Sequence, residues 1–302
     1  MCLIKASVGG PKAANHSYDV KTVQLLLNFS LPLLTREVML ADLGMPGGAR
    51  AKMGTEPWHS GTVDLSIAGG ARMGRGQVPL SVTGRMDKDT LETILVFQQQ
   101  VVKSPKPDGV VSPKGDTIKK LIESVPAKLT PEVLWLILIE ASRSDIDRYY
   151  QPLSAGMTTN NINTPLRMAH FLAQVGHESG SLRYSEELAT GEKYEGRVDL
   201  GNTQKGDGKL FKGRGLIQLT GRANYKAYGD ARGQDYIANP TRLATDPAIA
   251  VDCAFWYWNL KDLSKYADAD NANAVTVRIN GKYNGLQDRL DKLARARCLL
   301  VR

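Results

Sequence analysis

The run from His170 to Tyr225, HFLAQVGHESGSLRYSEELATGEKYEGRVDLGNTQKGDGKLFKGRGLIQLTGRANY, constrains this chain more than any other stretch. An apolar helix must end within it, at Gly176-His177-Glu178-Ser179-Gly180, and a polar stretch dense in carboxylates must follow before Gly213-Arg214-Gly215-Leu216-Ile217-Gln218-Leu219-Thr220. Thr164 can cap that helix, and Pro165 suits its first position, where a missing N–H is no loss. Met168, Leu172 and Val175 recur at steps of 4 and 3, the spacing of a buried stripe. Glu178 then stands where the helix gives out into a cleft, a setting in which desolvation favours a protonated carboxyl and suits a general acid. The plainer reading is a solvated Glu at a helix end.

The surroundings argue against the plainer reading. Glu186, Glu187, Glu192 and Glu195 follow Glu178, and Gln218, Thr220 and Asn224 add neutral donors and acceptors. Hydrolysis of a glycoside needs this inventory: one protonated carboxyl for the leaving oxygen, one carboxylate for water, and amides and hydroxyls for the sugar.

Four motifs in this order carry a resemblance: His177-Glu178, Tyr194-Glu195-Gly196-Arg197, GRGLIQLTGRANY, and Arg278-Ile279-Asn280-Gly281 with Gly285-Leu286-Gln287-Asp288-Arg289. Together they resemble the chitinase-like glycoside hydrolase family 19, in the branch of phage endolysins and other bacterial lysozymes, over roughly residues 130 to 302. The resemblance implies a bilobed, lysozyme-like, α-helical catalytic domain without cofactor or metal. It implies that Glu178 is the general acid and that a second Glu in the following loop activates water for an inverting attack. Glu195, 17 residues on and set before a Gly-Arg pair, ranks first as that base. Glu187 ranks second, and Glu186 and Glu192 are expected to be solvated. Thr220 would hold the water, and Gln218, Asn224 and Asn280 would line the sugar subsites. Tyr225 either joins them or packs in the core. His177 is expected to orient Glu178 or its loop, and Arg289 either reaches the site to hold a carboxylate or forms a surface ion pair.

Ahead of this domain, Asp19 is placed to cap a helix containing Val20, Val23 and Leu27, and Asp87 or Asp89 a second containing Leu91, Ile94, Phe97 and Val101. Residues 44–79 are rich in Gly and hold Trp58, which either stacks on a sugar or pins its own loop. Val-Gln-Leu-Leu-Leu, Thr83-Gly84, Phe97-Gln98 and Asp108-Gly109-Val110-Val111 resemble a small helical peptidoglycan-binding module split by that insertion. The expected architecture is mainly α: a wall-binding domain over 1–126, then a catalytic domain over 130–302.

Further on, Thr130 and Pro131 open a helix expected to run through Leu134, Ile137, Leu138 and Ala141. Asp246 and Pro247 open another, whose Phe255, Trp256 and Trp258 are expected in the core. Leu286, Leu290 and Leu293 face inward on a last helix.

The 302 residues, 42% hydrophobic and 23% charged, suit two globular domains and exclude a disordered or fibrous chain. A net charge of +8, with no basic run interleaved with aromatics, argues against nucleic acid and suits an anionic wall. Three widely spaced cysteines, Cys2, Cys253 and Cys298, suggest neither a disulfide framework nor a metal site and fit a reducing cytoplasm. The N-terminus lacks the pattern of a signal peptide, and no stretch suits stable membrane insertion. The expectation is a monomer made in the bacterial cytoplasm, delivered by a holin or a secretion machine, and acting on peptidoglycan in the periplasm or cell wall. A chitinase, an antibacterial effector with the same activity, or a non-catalytic wall-binding protein remain open alternatives.

Overall fold

The computed structural model describes residues 3–34 and 78–302. Most of the insertion, with Trp58, therefore lies outside the described residues. The chain divides into two compact units, Ile4–Val125 and Pro126–Arg302 with Leu3, and is mainly α-helical.

The first unit holds α1 (Ser17–Ser30), α2 (Lys88–Phe97) and α3 (Asp116–Glu123). A two-residue antiparallel ribbon joins β1 (Val8–Gly9) to β2 (Val110–Val111), with Val8 opposite Val111. Gly9 has φ +136°, and a Cβ there would fall 1.8 Å from the Gly109 carbonyl oxygen, so only glycine fits. Asp87 caps α2 by accepting from the Thr90 N–H. Asp19, by contrast, is no cap. His16 occupies that position, and the buried Asp19 carboxylate accepts from the N–H groups of Lys5 and Ala6 at 2.9 and 3.0 Å.

Two buried glutamines do the same job twice. Gln24 Oε1 accepts from the N–H groups of Thr83 and Gly84, each at 3.0 Å, while its Nε2 donates to the Arg85 carbonyl. Gln98 Oε1 accepts from the N–H groups of Asp108 and Gly109 at 3.1 and 2.8 Å, while its Nε2 donates to the Val110 carbonyl. In each case an amide side chain supplies the partners that a tight Gly turn cannot find within itself.

The second unit runs through α4 (Pro131–Ile137), α5 (Arg143–Thr159), α6 (Pro165–Glu178), α7 (Asp207–Leu210), α8 (Arg222–Arg232), α9 (Arg242–Thr245), α10 (Pro247–Leu260), α11 (Ser264–Asp268), α12 (Ala272–Asn280) and α13 (Leu286–Leu300). Helix α6 is its axis: every residue from Ala169 to Gly176 is buried, as befits a helix packed on all sides. Thr164 and Asp246 cap α6 and α10, accepting from the N–H groups of Arg167 and Ala248 respectively. Phe171 of α6 stacks on Phe255 of α10 with centroids 4.5 Å apart and meets Trp258 edge-on. The expected core role of Phe255, Trp256 and Trp258 holds. Gly176 lets α4 and α13 close on α6, since a Cβ there would lie 2.4 Å from Leu138 Cδ2 and 3.2 Å from Lys292 Cδ.

Two expectations need correction. The helix from Pro131 stops at Ile137, because Leu138 turns to φ −103°, ψ 61° and Ser142 caps a new helix by accepting from the Asp145 N–H. Cys298 is disulfide-bonded, although the cysteines are far apart in sequence; Cys253 is free and buried.

Replacing Gln98 with Leu strands two turn amides, at about 1–3 kcal/mol for each unsatisfied group. Urea unfolding of the full chain should show a clear loss of stability, with faster hydrogen exchange at the amides of Asp108 and Gly109.

Candidate active site

The last turn of α6 presents His177 and Glu178, and the first turn of α13 presents Asp288 and Arg289 opposite them. The two dyads pair in register. His177 Nδ1 lies 2.7 Å from Asp288 Oδ2, and Arg289 Nη2 donates to Glu178 Oε1. Arg289 also donates through Nη1 to Gln174 Oε1, and its side chain is only 2% exposed. Arg289 therefore holds the acid candidate and is no surface pair. Among the described residues, Glu178 Oε2 has no hydrogen-bond partner, and Glu178 keeps 17% of its side-chain surface open. Tyr257 of α10 feels this carboxylate, which adds to burial in raising the phenol above its ordinary range.

Asp288 extends the network by accepting from Lys292 Nζ at 2.6 Å, and Lys292 reaches Glu140 at 3.3 Å. The hydrogen bond with His177, then that with Lys292, holds the Asp288 carboxyl down at about 2 against the effect of burial. His177 is fixed from a second side by Gly285, where a Cβ would fall 2.0 Å from the imidazole Cε1.

After Glu178 the chain makes a tight corner in which Gly180, Ser181 and Leu182 all have positive φ, 56°, 61° and 69°. Two non-glycine residues in that region are strained. The corner is held by Ser179 Oγ, which accepts from the Leu182 N–H at 2.9 Å, and by Ser181 Oγ, which donates to Glu140 at 3.0 Å. It turns the chain into an extended run whose Glu187 N–H donates to the Gly213 carbonyl at 2.9 Å, while the Ser185 carbonyl accepts from Gly215. Arg214 in turn pairs both ways with Leu219.

The neighbouring glutamates of this run take different partners. Glu186 pairs with the buried Arg214 at 2.8 Å while its side chain stays 42% exposed, so it is solvated as expected and also balances that arginine. Glu187 Oε2 accepts from the Gly213 N–H at 3.3 Å, and Gly213 in turn packs against Gln218 and Thr220. A Cβ on Gly213 would lie 2.8 Å from Gln218 Oε1 and 3.4 Å from Thr220 Oγ1. Burial alone would push the Glu187 carboxyl up, but Lys193 at 2.7 Å, the Gly213 N–H and the Tyr194 hydroxyl together hold it below its ordinary range. Glu187 is thus kept ionised by Lys193, Tyr194 and the Gly213 N–H.

Glu195 is placed differently. Its Oε1 accepts from the Gly206 N–H at 2.6 Å and its Oε2 from the Gly208 N–H at 2.8 Å, so both oxygens tie the loop into α7. The same loop is knit by Asn202, which donates to the Tyr194 carbonyl, and by the buried Asp207, which takes a two-pronged bond from Arg222. The first place given to Glu195 therefore loses its geometric support. Glu192 is exposed, as expected.

The remaining expected contacts are mostly committed within the fold. Tyr225 is fully buried, donating to the Lys212 carbonyl at 2.7 Å and accepting from Arg214, which makes it a packing residue. Asn224 donates to the Thr220 carbonyl, Thr220 to the Gln218 carbonyl, and Gln218 to the Gly215 carbonyl. Asn280 braces its own turn, accepting from the Lys282 N–H and donating to the Asn284 carbonyl. Sequence reasoning gave no role to Gln174, Lys193, Gly213 or Asp288. Gln174 carried a signal, as an amide between the apolar residues Leu172, Ala173 and Val175.

A carboxylate held low contributes stability above its unfolded value, and that contribution disappears as pH falls toward the folded value. Asp288→Asn should therefore be less stable than the parent at neutral pH, and the gap should close between about pH 4 and pH 2. Thermal melts across that range check it.

The family model described as chitinase class I matches residues 153–281. A glycosyl hydrolase family 19 domain-containing protein of Haemophilus influenzae is 34% identical over 178 residues, covering 49% of this chain and 86% of that protein. An Arabidopsis thaliana endochitinase is 29% identical over 272 residues, covering 87% of this chain and 85% of its own length. Chitinase C of Streptomyces griseus aligns over 57% of this chain and 92% of its own, at 26% identity and a TM-score of 0.48. The length and identity shared with the Haemophilus protein, together with the matched family model, place this chain in glycoside hydrolase family 19.

Proposed function

We propose that this glycosidase is a peptidoglycan hydrolase, cleaving the β-1,4 bond of the bacterial glycan strand by single displacement with inversion. The observation that carries the mechanism is the contrast between two carboxyl groups. Among the described residues Glu178 has one oxygen on Arg289 and the other unpartnered, whereas Glu187 is kept ionised by Lys193, Tyr194 and the Gly213 N–H. Glu178 gives its proton to the glycosidic oxygen as the C1–O bond breaks. Glu187, not Glu195, takes a proton from the water that attacks C1 from the opposite face, with Thr220 and Gln218 beside that water. Inversion requires about 6.5–9.5 Å between the two carboxyl groups, with room for water between them.

The substrate assignment leans on the likeness of the first unit's sequence motifs to a wall-binding module. The second reading is a chitinase, the activity named for the Arabidopsis relative. Both readings share the chemistry and differ in the polymer, and faster turnover of colloidal chitin than of purified sacculi would favour the chitinase.

Glu178→Gln and Glu187→Gln should each lower the release of reducing ends from sacculi by about 10²–10⁴-fold, the usual worth of a general acid or base. Glu195→Gln should act mainly on stability. Mass spectrometry should find glycan fragments with intact peptides, and NMR of the first product should show the α anomer. Activity indifferent to Glu178, or peptide-only products, would overturn the reading.

A further inference from the structure

We propose that Gln174 is a positioning residue for the general acid, setting the orientation of Arg289 and through it which oxygen of Glu178 faces the substrate. This rests on the reading of Glu178 as the acid. Gln174 is 1% exposed and lies one helical turn before Glu178, so the two side chains stand one above the other on α6. The Arg289 guanidinium spans them, giving Nη1 to Gln174 Oε1 and Nη2 to Glu178 Oε1. Among the described residues its buried Nε has no hydrogen-bond partner, so Gln174 and Glu178 supply the fork's hydrogen bonds. Gln174 is itself held by its other end, Nε2 donating to Oγ1 of the fully buried Thr276 on α12 at 3.4 Å.

The residue type is what this position requires. An amide accepts from Arg289 and donates to Thr276 while adding no charge, so the guanidinium's positive charge remains directed at Glu178. A carboxylate at 174 would still accept from Arg289 but would share that charge. An apolar side chain would leave Arg289 free to swing, and both oxygens of Glu178 with it. A misplacement of about 1 Å at a reacting group costs roughly 10²-fold in rate.

The test compares Gln174→Met, Gln174→Glu and Thr276→Val with the parent and with Glu178→Gln, on soluble glycan strands from pH 4 to 9. Gln174→Met should lower kcat by about 10- to 100-fold, with KM changed less than about twofold and a native circular dichroism spectrum. Thr276→Val should lower kcat less, because it loosens only the far end of the amide. Gln174→Glu should recover much of the rate, and the alkaline limb of its kcat profile should move to higher pH, since an acid beside a partly neutralised guanidinium holds its proton longer. Unchanged kcat and an unmoved pH profile in both Gln174 variants, whatever happens to their melting temperatures, would make Gln174 merely structural and overturn the inference. Retained activity in Glu178→Gln would instead overturn the assignment of the acid, and the inference with it.

Discussion

The second unit depends on one buried charge. Arg289 lies inside the α6–α13 contact, where a guanidinium is tolerated only if its donors are met. Glu178 and Gln174 meet two of them, so the ion pair that steadies the helix packing also fixes the carboxyl at the end of α6. One rung along, His177 and Asp288 repeat the arrangement, and Lys292 and Glu140 carry it to the turn after α4 and the corner at Ser181. Stability and the placement of a reacting group are therefore the same set of contacts.

The glutamates that follow show how little the side chain alone decides. Glu178, Glu186, Glu187 and Glu195 are chemically identical, yet each is assigned by what donates to it. Glu186 balances a buried arginine, and Glu195 closes a loop on two backbone amides. Glu187 is held ionised by Lys193 and Gly213, and Glu178 keeps one oxygen unengaged. The strained corner from Gly180 to Leu182 separates Glu178 from the run bearing Glu186 and Glu187.

The first unit solves a different problem by repetition. Neither of its Gly turns can satisfy its own amides, and in both a glutamine from a helix does so. This explains why the helix-borne Gln and the later Gly recur at Gln24 with Gly84 and at Gln98 with Gly109, across the insertion that divides them. Asp19 serves the same end at the N-terminal side, spending its carboxylate on Lys5 and Ala6.

The helical class, the caps at Thr164 and Asp246, the aromatic core of α10 and the position of Glu178 at a helix end are all legible in the sequence. Each of these is a local matter of capping or periodicity. Long-range packing sets the end of α4 at Ile137, the disulfide at Cys298, the burial of Tyr225, and the split between Glu195 as a loop tie and Glu187 on Lys193 and Gly213. Those outcomes depend on which backbone amides and guanidinium groups arrive from residues far along the chain. A carboxylate's role is fixed by its donors, and the spacing between glutamates does not encode where those donors come to rest.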